Sequence, residues 1–127
     1  ISDYDYRFTR YKISYSLAIA YTPEPTELAS LLPHIRKSDR FIPLNDHFHA
    51  VVFDFTDEEK AIKASNKLLT FFQYTYFSKS IFASVITADN HRTPDRMIAK
   101  LFDLVVYSIR HNMDNHIMDQ SQIMKGM

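Results

Sequence analysis

Cysteine is absent from all 127 residues, which excludes disulfides and thiolate metal sites and is compatible with a reducing compartment. Tryptophan is absent too, and the single glycine is Gly126, close to the last residue. A glycine-rich phosphate loop and a nucleophile elbow therefore have nothing to be built from. Charge of one sign is not in excess: 15 Lys and Arg face 15 Asp and Glu, so no broad field favours nucleic acid or an anionic membrane. No apolar run approaches the ~20 residues that a membrane-spanning helix needs. The first residues lack the charged, apolar and small-residue order of a signal peptide. The expectation is a cytoplasmic chain with no nucleic-acid partner and no membrane insertion. Because it starts at Ile1 rather than Met, a longer parent protein is also expected.

What is present is globular. With 46% hydrophobic residues and ten Phe, a chain of this length can bury one core, and no repeat, low-complexity tract or Gly/Ser linker divides it. The reading is one domain over 14–117, preceded by an N-terminal arm or short helix at 1–13 and followed by a tail at 118–127. In the arm, Tyr4, Tyr6, Phe8 and Tyr11 mix with charges, and helix is expected near Arg7 to Lys12.

Ser14 to Thr22 reads as a strand: Tyr15, Leu17, Ile19 and Tyr21 alternate with small residues, and Pro23-Glu24-Pro25 stops it. Thr26 can cap a helix with Leu28, Leu31, Leu32 and Ile35 on its apolar side, which Pro33 kinks or restarts. Phe41 to Leu44 and Ala50 to Phe55 flank the turn formers Asn45 and Asp46, which predicts a β-hairpin. Thr56-Asp57-Glu58-Glu59 has the form of a capping box opening a helix with Ala61, Ile62, Ser65, Leu68, Leu69 and Phe72 buried. Ser80 to Ala88 is a β-branched and aromatic strand. Thr93-Pro94 starts a last helix, with Ile98, Leu101, Phe102, Val105 and Ile109 as its apolar stripe. The order β-α-β-β-α-β-α predicts a ferredoxin-like α+β layer with one mostly antiparallel sheet.

Few constellations carry chemistry. His47-x-His49 on a strand is half of a Zn or Ni site, with Asp114 and His116 as the only suggestive further ligands; solvated hairpin histidines are the alternative. Tyr74, Tyr76 and Phe77 could stack a base, but no basic stripe accompanies them, which favours packing.

The hairpin carries a resemblance. Arg36-x-x-Asp39, five residues, then Asn45-Asp46-His47-Phe48-His49 leading into Ala50-Val51 resemble the centre of the GGDEF family of diguanylate cyclases. Ser84 to Ala88 resembles that family's Ser-Ile-Gly-Val-Ala strand, and Phe102 to Arg110 its Ala-Asp-x-Ala-Leu-Tyr-x-Ala-Lys helix. Asn115 falls where the family has the Asn of Gly-Arg-Asn, and Arg10-Tyr11 with Ser16 to Ile19 is similar to its Arg-Tyr and first strand. The resemblance spans roughly Arg10 to Ile117 and implies the GGDEF palm, a βαββαβ unit plus a C-terminal helix.

The departures bear on activity. Where the resemblance places a first-strand Asp-x-Asp that holds metal, this chain has Tyr21 and Pro23. The signature's glycines become Asn45 and Asp46, and its carboxylates become His47 and Phe48. An imidazole and a phenyl ring cannot replace two carboxylates in holding divalent cations for attack on a triphosphate. About twenty residues separate first strand from hairpin, near half the family's spacing, which implies that a nucleotide-binding helix is missing. The resemblance thus implies a degenerate domain that is not an enzyme and needs no cofactor. It would serve as a protein-interaction, self-association or regulatory module. Alternatively it would be a cyclic di-GMP receptor through Arg36 and Asp39, with Lys60 or Lys63, or basic residues of a second protomer, meeting the phosphates. The plainer reading of that pair is helix-end complementation by Arg36 and turn support by Asp39.

Overall fold

The computed structural model describes residues 2–24, 33–76, 79–88 and 93–119. Among them are α1 (Ser2–Tyr11), β1 (Tyr15–Tyr21), β2 (Arg40–Pro43), β3 (Phe48–Asp54), α2 (Glu58–Thr75), β4 (Phe82–Thr87), α3 (Pro94–Arg110) and β5 (His116–Met118). The predicted helix at Thr26 to Leu32 lies outside the described residues; a short 3-10 turn at Pro33 and His34 leads into the segment before β2.

One five-stranded sheet runs in the order β2-β3-β1-β4-β5. The first four strands pair antiparallel, as in a ferredoxin-like palm, and β5 adds a parallel edge beside β4. Alternation along β1 explains the two-sided core. Tyr15, Leu17 and Ile19 face the layer made by Tyr4 of α1 and Met97, Leu101 and Val105 of α3. Ala18 and Ala20 face α2 together with Phe53, Ala83 and Val85. Phe72 of α2 is fully buried, and its truncation to Ala is of the kind that costs ~3–5 kcal/mol.

Several sequence expectations shift. The N-terminal helix is longer than the predicted 7–12 and starts at Ser2, because Tyr4 and Phe8, one turn apart, reach the core beside Tyr15. The cap of α2 is Asp57, whose carboxylate accepts from the Lys60 amide at 2.9 Å, rather than Thr56, which is occupied with the end of β3. In α3 the Thr93 cap and Pro94 are as read, but the buried stripe is Met97, Leu101, Leu104, Val105 and Ser108, while Ile109 is exposed. The sheet continues through Met118. Asn115 makes this possible: at φ 57° it turns the chain, its amide donates to the Ile81 carbonyl at 2.7 Å, and its Oδ1 accepts from the Ile81 amide at 3.2 Å.

Candidate functional site

The segment before β2 is folded around one carboxylate. Asp39, its side chain 3% exposed, accepts from the Arg36 amide at 3.0 Å, from Arg36 Nε at 3.3 Å, from Arg36 Nη2 at 3.1 Å and from the Asp54 amide at 3.0 Å. The Arg36 guanidinium then reaches the end of β3, donating to the Asp54 carbonyl and, at 2.6 Å, to Thr56 Oγ1. Helix α1 grips the same knot from outside: Tyr4 donates to the Ser38 carbonyl at 3.1 Å, and Arg7 approaches both carboxylate oxygens of Asp54 at 3.2–3.3 Å. Arg36 and Asp39 are therefore joined to each other and to β3, with only the arginine side substantially open to solvent.

A groove of about 270 Å³ runs beside this knot, lined among others by Arg36, Asp39, Thr56, Lys60 and Lys67. Of the two lysines proposed as phosphate partners, Lys60 lies in the groove. Lys63 does not line it; it sits 3.4 Å from Glu59 on the exposed surface of α2. Lys67 was missed, although its spacing of seven residues from Lys60 puts both on one helix stripe.

The predicted hairpin is present, with Phe41 opposite Val51 and Pro43 opposite His49. Asn45 organises its tip, since Oδ1 accepts from the His47 and Phe48 amides, each at 2.8 Å. Asp46 is exposed at that tip. His47 Nδ1 lies 2.9 Å from the Thr22 carbonyl, and its ring sits beside Tyr21. His49 is buried and stacks on Phe41 at 5.7 Å; burial lowers its pKa, with Asp46 pulling weakly the other way. The proposed metal partners do not join them. Two strands, β1 and β4, separate β3 from β5, a lateral distance of roughly 14 Å at ~4.8 Å per strand. Asp114 instead accepts from Ser80 Oγ at 2.8 Å, and the described residues contain no cluster of three or more metal-ligating groups. Tyr74 is exposed, Tyr76 packs on Phe72, and Phe77 is outside the described residues.

Where β1 ends beside the hairpin, the side chains are aromatic. Tyr21 is the register partner of both Phe48 and Phe82, with ring centroids at 4.9 and 6.3 Å, and Phe48 continues to Phe102 at 5.4 Å. The C-terminal end of the central strand β1 and the hairpin meet at one end of the sheet, in a palm whose element order and sheet have solved counterparts. The fold is that of a GGDEF domain.

The GGDEF domain of DgcB from Caulobacter crescentus, solved with c-di-GMP, matches at TM-score 0.77 and 7% identity over 92% of this chain and 81% of that one. The active GGEEF domain of a Vibrio cholerae diguanylate cyclase matches at TM-score 0.74 and 14% identity over 92% and 89%. Diguanylate cyclase SiaD from Pseudomonas aeruginosa, in complex with its activator SiaC, matches at TM-score 0.75 and 10% identity, over 93% of this chain and 54% of SiaD. No family model matches the sequence, and no curated protein does. At these identities the likeness is one of GGDEF fold. No helix of the described residues is long and apolar enough to cross a membrane.

Proposed function

We propose that this GGDEF-fold chain is a catalytically inactive signalling domain of bacterial type that works through protein contacts, as an interaction, dimerisation or regulatory module. The observation that carries the reading is the aromatic cluster of Tyr21, Phe48 and Phe102 at the hairpin end of β1. The resemblance puts metal-holding carboxylates at Tyr21 and in the signature at His47 and Phe48. A neutral phenol, an imidazole and a phenyl ring supply none of the anionic carboxylate oxygens that hold a divalent cation against a triphosphate. A fold relative bound to an activator protein, SiaD with SiaC, is consistent with working through contacts.

One observation favours a second reading, that the domain receives cyclic di-GMP. The Arg36 guanidinium is half exposed, and Lys60 and Lys67 line the same groove. Against it stands the carboxylate of Asp39, which is buried and already accepts from four donors, leaving little to pair with a guanine edge.

The deciding experiment incubates the purified domain with GTP and Mg²⁺ or Mn²⁺, and titrates it calorimetrically with cyclic di-GMP beside Arg36→Ala. No cyclic dinucleotide and no heat, with self-association seen in sedimentation, is the expected result. Turnover of GTP refutes inactivity. Saturable binding lost in Arg36→Ala replaces the first reading with the receptor.

A further inference from the structure

Helix α3 carries an apolar face in addition to the one it buries. Met97, Leu101, Leu104, Val105 and Ser108 are buried against the sheet, and the remaining surface of such a helix is ordinarily polar. Here Ala99, Phe102, Val106 and Ile109 follow one another at spacings of three and four residues, the repeat of a helix-pairing seam. Val106 is 43% and Ile109 37% exposed, Ala99 is exposed and Phe102 is half-buried. Val and Ile are poorer helix formers than Lys, Glu or Arg, so helix propensity does not account for them on an exposed face.

Two opposite charges border this stripe. Asp103 and Arg110 are exposed, and neither takes part in an ion pair among the described residues. They lie two helical turns apart on the same side of the stripe, ~10 Å along the axis, too far to pair within one copy. Val106 sits about midway between them. A two-fold axis beside Val106 brings a second α3 antiparallel to the first and sets Asp103 of each copy against Arg110 of the other. One surface then supplies both halves of a pair of ion pairs, as a self-complementary interface requires. A parallel arrangement would oppose Asp103 to Asp103 and Arg110 to Arg110.

We infer that the exposed face of α3 is the self-association surface of this domain, with a second copy packing antiparallel across Phe102, Val106 and Ile109. The inference rests on the reading of the chain as a module that works through protein contacts, and it names the partner. Phe102 joins the two, because it belongs both to this stripe and to the aromatic cluster beside the hairpin. The pairing is weak. At 17 residues α3 is ~25 Å long, and a face ~10 Å wide covers roughly 250 Å² per copy, well below the ~800 Å² of a standard interface. A dissociation constant on the order of 0.1 to 1 mM suits a contact of that size.

Sedimentation equilibrium of the whole chain, from about 10 μM to about 1 mM, is expected to show a reversible monomer–dimer equilibrium. Val106→Glu should weaken it about tenfold or more without shifting the urea midpoint; if that variant does not fold, Ala99→Glu charges the same stripe. Asp103→Arg and Arg110→Asp should each weaken it about tenfold, because both symmetric ion pairs become repulsive. Mixed in equal amounts, those two variants should dimerise with each other as strongly as the wild type, since each then carries charges opposite to its neighbour's. A chain that stays monomeric throughout overturns the inference together with the self-association form of the reading it rests on. Dimers of wild-type strength in Val106→Glu, or charge variants that neither weaken the dimer nor rescue one another, overturn the antiparallel α3 pairing alone and leave protein contacts through another surface.

Discussion

Removing the Asp39 carboxylate should cost far more stability than removing the arginine that pairs with it. In Asp39→Ala the Asp54 amide loses its acceptor at the end of β3, a stranding worth ~1–3 kcal/mol. The Arg36–Asp39 ion pair adds little, ~0–1 kcal/mol, because the Arg36 side chain is 55% exposed and screened by solvent. Together the substitution should destabilise by about 2–3 kcal/mol, a large part of a typical 5–15 kcal/mol total. Arg36→Ala leaves Asp39 bonded to the Asp54 amide and leaves Thr56 Oγ1 donating to the Asp54 carbonyl, so it should cost below ~1 kcal/mol. Urea unfolding of both variants, with unchanged slopes, measures the difference. Equal losses for the two, or a loss for Asp39→Ala under ~0.5 kcal/mol, would refute the view of Asp39 as the centre of a structural knot.

Asn115→Ala should destabilise by ~2 kcal/mol or more, because the Ile81 amide loses an acceptor and a residue with a Cβ and no local hydrogen bond must hold positive φ; thermal unfolding and amide exchange at β5 report it. Burial and the contact with Asp5 raise the Tyr15 pKa, so its neutral form is the one the fold favours. Its stabilising effect is complete below the unfolded value near pH 10 and declines as pH rises above it; a spectrophotometric titration should show one tyrosine ionising late, absent in Tyr15→Phe. His49 has a lowered pKa, so its contribution is present above the unfolded value near 6.5 and is lost as pH falls through the folded one. Replacing it with Phe should flatten the stability profile in that acid window, as urea midpoints measured from pH 7 down to pH 4 would show.

Much of this was legible in the chain itself. Period-two alternation from Tyr15 to Tyr21, the turn formers Asn45 and Asp46, and Pro94 after Thr93 fixed strand, hairpin and helix start, because each acts through its immediate neighbours. The order of the elements, together with a resemblance running from Arg10 to Ile117, pointed to the palm. Local pattern could not decide what depends on distant partners. Thr56 looks like a helix cap until β3 supplies the Asp54 carbonyl. The three-residue β5 carries no periodicity of its own and forms because β4 offers an open edge and Asn115 ties the chain to Ile81. His47 and His49 share a strand face on paper, yet one meets the Thr22 carbonyl and the other is buried against Phe41. Sequence set which residues could form each element; only tertiary packing decided which polar atoms found partners, because those partners come from strands and helices far away along the chain.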